Sequence, residues 1–109
     1  MCKPTILSQS SIGYVKHCRD CGTYTIAFNN SMVALDKKGF LGFKGSLRDC
    51  YQAHLKNEVD SSFRYIMFDT FCEGIRFLFS LDEIGEVLSM MQEAELHQYI
   101  TEGEEIEHD

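Results

Sequence analysis

The sequence predicts an α+β fold in which one antiparallel sheet of about six strands is covered by two helices. Three observations carry that expectation. Short β-branched and aromatic segments alternate with turn chemistry, two longer segments carry apolar stripes at helical spacing behind capping residues, and the order strand–turn–strand–helix occurs twice. With 109 residues, 44% of them hydrophobic and 25% charged, the chain is long enough to bury one core without staples.

The elements follow in order. Thr5–Ser8 and Ile12–Lys16 flank a polar turn around Gln9-Ser10-Ser11 and read as an N-terminal hairpin. Thr23–Phe28 alternates like a half-buried strand and reaches Asn29-Asn30, a pair that tolerates the positive φ of a tight turn. Ser31–Leu35 returns as its partner. Asp36 is a good N-cap, and Phe40, Phe43, Leu47, Tyr51 and Leu55 mark one face of a helix. Phe63–Cys72 then reads as a strand, Glu73-Gly74 as its turn and Ile75–Phe79 as the return. Ser80-Leu-Asp-Glu83 is a capping box, and Ile84, Val87, Leu88, Met91 and Ala94 form the second apolar stripe. At an offset of 44 residues, Asn30 falls on Gly74, Asp36 on Ser80 and Phe40 on Ile84, so turn, cap and core face stay in register. The expectation is a hairpin followed by two ββα units packed as a pseudo-repeat. Residues 1–100 form the domain, and the acidic residues 101–109 are expected to fray as a tail.

Charge divides along the chain. Residues 1–56 hold eight Lys/Arg against three Asp/Glu, and residues 57–109 hold two against fourteen. The net charge of −7 argues against nucleic-acid binding, which needs an extended basic surface. No apolar run approaches the roughly 18 residues of a membrane span, and the N-terminus lacks the apolar stretch of a signal peptide. The expected compartment is the cytoplasm, where five cysteines read as metal ligands, redox groups or buried thiols before they read as disulfides.

The one motif with chemical content is His17-Cys18-Arg19-Asp20-Cys21-Gly22. A Cys-x-x-Cys-Gly turn between strands aims two thiolates at one point, as in a zinc knuckle, and zinc asks for four N or S donors. If the first hairpin turns at Ser10-Ser11, paired residues sum to about 21 and Cys2 falls beside the turn, across from Arg19. His17 adjoins the pair. The expected ligand set for a structural zinc is therefore Cys2, His17, Cys18 and Cys21. The competing readings are incidental thiols, a redox dithiol, and a catalytic zinc held by the three cysteines alone. The redox reading is weakened because reactive Cys-x-x-Cys pairs usually open a helix.

Other candidates are weaker. Cys50 and Cys72 are expected to be core thiols, His54 a packed histidine, and His97 and His108 solvated. Gly39-Phe-Leu-Gly-Phe-Lys-Gly45 lacks phosphate-loop spacing. Its Gly42-Phe-Lys-Gly45 echoes the GXXG loop of KH domains without their basic setting. Close packing of another backbone, or a late start to the helix, accounts for these glycines. Eight Phe among thirteen aromatics exceed what two helices need to cover, which leaves an apolar face for a partner.

Met1-Cys2, the His17-Cys18-x-x-Cys21-Gly22 turn and Ala27-Phe28-Asn29 resemble a small bacterial family, a domain of unknown function, over about the first 45 residues. The resemblance implies that the early cysteine and the Cys pair travel together and act jointly, as a metal site requires. It implies no activity or substrate. The function expected is a non-enzymatic binding or protein-interaction domain, homodimeric and without membrane contact, with a structural zinc. The alternative is a thiol-redox or metal-dependent enzyme using Cys18 and Cys21.

Overall fold

The computed structural model describes residues 3–107, with side chains described through Thr101. Its order is β1 (Thr5–Gln9), β2 (Gly13–His17), β3 (Tyr24–Phe28), β4 (Ser31–Leu35), α1 (Lys37–His54), β5 (Ile66–Asp69), β6 (Arg76–Phe79) and α2 (Leu81–Glu107). The class is α+β with two helices and six antiparallel strands, and the order hairpin, ββα, ββα is the one the sequence predicts. The acidic C-terminal stretch is helical as far as Glu107.

The single six-stranded sheet is corrected. The strands form a four-stranded meander, β1-β2-β3-β4, and a separate two-stranded ribbon, β5-β6. The ribbon packs on the meander through aromatic rings rather than by backbone pairing. Phe28 of β3 meets Phe77 edge-on at 5.2 Å between ring centroids and Phe79 at 5.4 Å.

The meander is set by its turns. In the first hairpin Thr5 pairs with His17 and Ile6 with Lys16, a sum of 22 where the sequence suggested 21. A bulge then resets the register to Ser8↔Val15. The β3–β4 turn is Asn29-Asn30 as expected, with Asn29 at φ 53°. Gly13 is obligatory for a different reason: a Cβ there would stand 1.8 Å from the Ala27 carbonyl oxygen. That carbonyl belongs to the paired strand and cannot withdraw without breaking the ladder.

The core lies between the meander and the helices. Val15, Ile26 and Phe28 from the sheet meet Phe40, Phe43 and Leu47 from α1, and Ile84, Val87, Met91 and Ala94 from α2. Burying each larger side chain contributes about 1.5–3 kcal/mol before chain entropy is counted. Ser8 sits in this core and donates its hydroxyl to the Met90 carbonyl at 2.7 Å, joining β1 to α2. Leu55 is a correction. It caps α1 and is exposed, because the helix ends one residue before it.

Both helix starts are capped as predicted. The Asp36 carboxylate accepts from the Gly39 N–H at 2.7 Å, so α1 begins at once and its glycines lie within the helix. At α2 the Ser80 hydroxyl accepts from the Glu83 N–H at 3.1 Å, and the Glu83 carboxylate accepts from the Ser80 N–H at 2.9 Å. The same carboxylate takes three contacts of 2.7–3.1 Å from the Arg64 guanidinium and one of 2.6 Å from the Asn29 side chain. The Arg64 hydrogen bonds are the largest cause holding Glu83 at about 2 against partial burial, with the Ser80 amide, Asn29 and the Arg64 charge adding to them.

Two stability tests follow from these contacts. Gly13→Ala is expected to lose about 3 kcal/mol or more, the upper range for overpacking, read as a lowered urea midpoint. An unfolded glutamate titrates near 4.3, so the Glu83 network contributes fully above that value and is lost as pH falls through about 2. Glu83→Gln should be less stable by about 1 kcal/mol at neutral pH, and the difference from the parent should close on acidification toward that folded-state value.

Candidate functional site

The Cys18–Cys21 turn joins β2 to β3, as the motif requires. Strand pairing ends at His17↔Tyr24. The Cys18 N–H then donates to the Thr23 carbonyl at 2.9 Å, and the Gly22 N–H donates to the Cys18 carbonyl at 2.8 Å. Gly22 takes φ +73°, the left-handed conformation in which an L side chain is strained. The turn thus returns the chain at a fixed distance, with a cysteine on each limb.

The two sulfurs differ. Cys18 is buried, 4% exposed, and is disulfide-bonded. Cys21 is exposed and carries a reduced thiol, as do Cys50 and Cys72. Cys21 Sγ lies 3.3 Å from Thr23 Oγ1. Hydrogen bonding to the Thr23 side chain, then to its backbone, favours the thiolate and holds this thiol below its ordinary value.

His17 closes β2 beside the turn. Its ring packs on Tyr24 with centroids 4.3 Å apart, and its Nδ1 is 3.4 Å from Gln98 Nε2 on α2. Tyr24 donates its hydroxyl to Gln98 Oε1 at 2.7 Å. Gln98 thereby anchors the end of the hairpin to the second helix. Thr5, paired with His17, brings β1 alongside. Cys2 lies outside the described residues. Among the described residues, no group of three or more His, Cys, Asp or Glu side chains is assembled as a metal site. The set Cys2, His17, Cys18 and Cys21 would supply three sulfurs and one nitrogen, a donor set that suits zinc.

The remaining thiols separate. Cys50 packs half-buried against the core, and burial pushes its thiol up. His54 is packed as expected, with Nδ1 2.9 Å from the Cys50 carbonyl and its ring edge-on to Tyr65. Cys72 is a correction: it is exposed. The expected strand stops at Asp69, and Thr70 organises a loop by donating to the Ile75 carbonyl at 2.6 Å and accepting from the Cys72 N–H at 3.2 Å. Gly74, at φ +85°, completes the reversal. His97 is exposed, as its acidic surroundings suggested, and His108 lies outside the described residues.

A second feature was only half legible. A groove of about 580 Å³ runs between β4, α1 and the β5–β6 loop, with Met32, Phe43, Phe71, Cys72 and Ile75 among its walls. Phe71 is 75% exposed there. The surplus of Phe announced a leftover apolar surface, but its position depends on the split between the two sheets.

The fold and site define a small α+β domain with a Cys-x-x-Cys-Gly turn and an open apolar groove. The chain belongs to the Family of unknown function (DUF6686), whose model matches residues 1–109. No curated protein and no solved structure matches it.

Gly22 tests the turn. Gly22→Ala meets open space but an unfavourable φ, and should cost about 1 kcal/mol. Gly22→Asn, which tolerates that conformation, should cost less in the same thermal melts.

Proposed function

We propose that this protein is a non-enzymatic binding or protein-interaction domain, homodimeric and cytoplasmic, whose N-terminal hairpin is tied down by a structural zinc on Cys2, His17, Cys18 and Cys21. The observation that carries the zinc reading is the geometry of the turn. Two strands end in register, a left-handed Gly22 follows Cys21, and the limbs present Cys18 and Cys21 beside the His17 strand end. Zinc bound there would lock β1, β2 and β3 at one end, opposite the Glu83 network at the other. The binding reading draws support from the groove and from the exposed Met32, Phe71 and Ile75 on its walls. The two ββα units read as a structural pseudo-repeat, with Asp36 and Ser80 capping their helices 44 positions apart.

The disulfide at Cys18 beside the reduced thiol of Cys21 favours a second reading, thiol–disulfide exchange that uses Cys18 and Cys21. A disulfide and a zinc site both require sulfurs to converge, but a metal needs them reduced.

Metal analysis by mass spectrometry, on protein purified without chelator, separates the two. One zinc per chain is expected, lost in Cys18→Ser together with a fall in melting temperature of several degrees. Absence of metal, with rapid reduction of a model disulfide by the parent protein and none by Cys21→Ser, would transfer the site to redox chemistry.

A further inference from the structure

The turn between β2 and β3 holds its two sulfurs in different chemical states. Cys18 is disulfide-bonded and buried, while Cys21 is reduced and exposed. The hydrogen bonds that shape the turn are made by backbone alone, from the Cys18 N–H to the Thr23 carbonyl and from the Gly22 N–H to the Cys18 carbonyl. The turn therefore keeps its form whichever state the sulfurs take. His17 is likewise held beside it by Tyr24 and Gln98, through contacts that involve no sulfur.

A sulfur in a disulfide has no negative charge to offer a metal, and zinc takes a cysteine only as the thiolate. Whichever cysteine holds the other half of its bond, Cys18 reaches zinc only after that bond is broken. The movement required is small. Zinc holds each sulfur at about 2.3 Å, so two of its thiolates stand no more than about 4.6 Å apart. Sulfurs already bonded to one another reach that spacing by rotation of their side chains. Cys21 differs between the two states in another way. It is an exposed thiol while Cys18 is disulfide-bonded, and as a zinc ligand it becomes a metal-bound thiolate.

We propose that zinc occupancy at this turn is switched by the oxidation state of Cys18. The disulfide form is the metal-free state, and its reduction opens the turn to one zinc. This rests on the zinc reading above and deepens it by adding a second, metal-free state of the same residues. In the opening direction one thiol of a dithiol attacks the disulfide, its second thiol completes the exchange, and the dithiol departs as a disulfide of its own. Its two protons pass to Cys18 and to the sulfur Cys18 was bonded to, and the Cys18 proton leaves when the thiolate binds zinc. In the closing direction a small-molecule disulfide takes two electrons from the two protein thiolates and departs as two thiolates. The ion is released because Cys18 no longer carries a charge.

Metal content and thiol state, measured by mass spectrometry on the same full-length samples, test the switch. The chain is either oxidised with a small-molecule disulfide or reduced with a small dithiol that is removed without air. Each form is dialysed against zinc and then against zinc-free buffer. The reduced form should retain one zinc per chain. The oxidised form should hold less than about a tenth of that, with the Cys18 peptide recovered as a disulfide. Alkylation of Cys21 should be at least about tenfold slower in the zinc form, while that of Cys72, also exposed and reduced but outside the turn, should not change. Reducing the oxidised sample again should restore the zinc, which separates switching from loss of fold.

Zinc retained by chains whose Cys18 is disulfide-bonded overturns the switch and removes Cys18 from the ligand set. Zinc in the reduced form that the small-molecule disulfide neither displaces nor oxidises overturns the switch and leaves the zinc reading standing. Zinc in neither form, with the Cys18 peptide recovered reduced after dithiol treatment, overturns the zinc reading and the switch together.

Discussion

The Glu83 carboxylate is the constraint on which the arrangement of the two sheets depends. It closes the capping box of α2, receives the Asn29 side chain from the β3–β4 turn, and holds Arg64 from the loop before β5. Three segments far apart in sequence meet at one side chain. A surface ion pair alone is worth little, but here the guanidinium bond is bidentate and the same carboxylate satisfies a helix-end amide that has no intrahelical partner. The network fixes where α2 starts relative to the meander. From that start the apolar positions Ile84, Val87 and Met91 fall in phase with the sheet.

The opposite end of the meander is governed by the Cys18–Cys21 turn and its contact with α2 through His17, Tyr24 and Gln98. The sheet is thus held at both ends of its central strands by polar clusters, with an apolar core between them. The β5–β6 ribbon has no such second anchor. A two-stranded ribbon alone is marginal in water, and this one is retained by Phe68 and Phe79 packing into the common core while Met67 and Leu78 face outward. Apolar side chains on the outer face of such a short ribbon suit a surface that meets other molecules.

Local chemistry was legible in the sequence wherever a few adjacent residues decide the outcome. Asp36, Ser80 with Glu83, and Asn29-Asn30 each specify a cap or a turn by their own hydrogen bonding. The apolar stripes likewise predict the buried faces of both helices, apart from Leu55 at a helix end. The motif His17–Gly22 is legible for the same reason, since a Cys-x-x-Cys-Gly turn is a short-range object. What escaped the sequence depends on contacts between distant residues. The ribbon meets the meander through Phe28, Phe77 and Phe79, and aromatic residues in strands look alike whether they pair through backbone or pack through rings. Cys72 was misplaced because Thr70 ends the strand early through its hydroxyl, a competition that alternation does not reveal. Arg64 as the partner of Glu83 had no signal at all beyond opposite charge.

The bond from Ser8 to the Met90 carbonyl spans 82 positions, and this separation bears on how the chain reaches its fold during synthesis. A polypeptide leaves the ribosome from its N-terminus. The meander of β1 to β4 is built from local hairpins and can pair as it emerges. Its inner face, with Val15 and Ile26, has α1 to cover part of it but must wait for residues 84–94 to be made before α2 can close the rest. The sheet is therefore assembled with its apolar side open to the cell for the time it takes to translate roughly half the protein, and the last helix serves as the lid that ends that exposure.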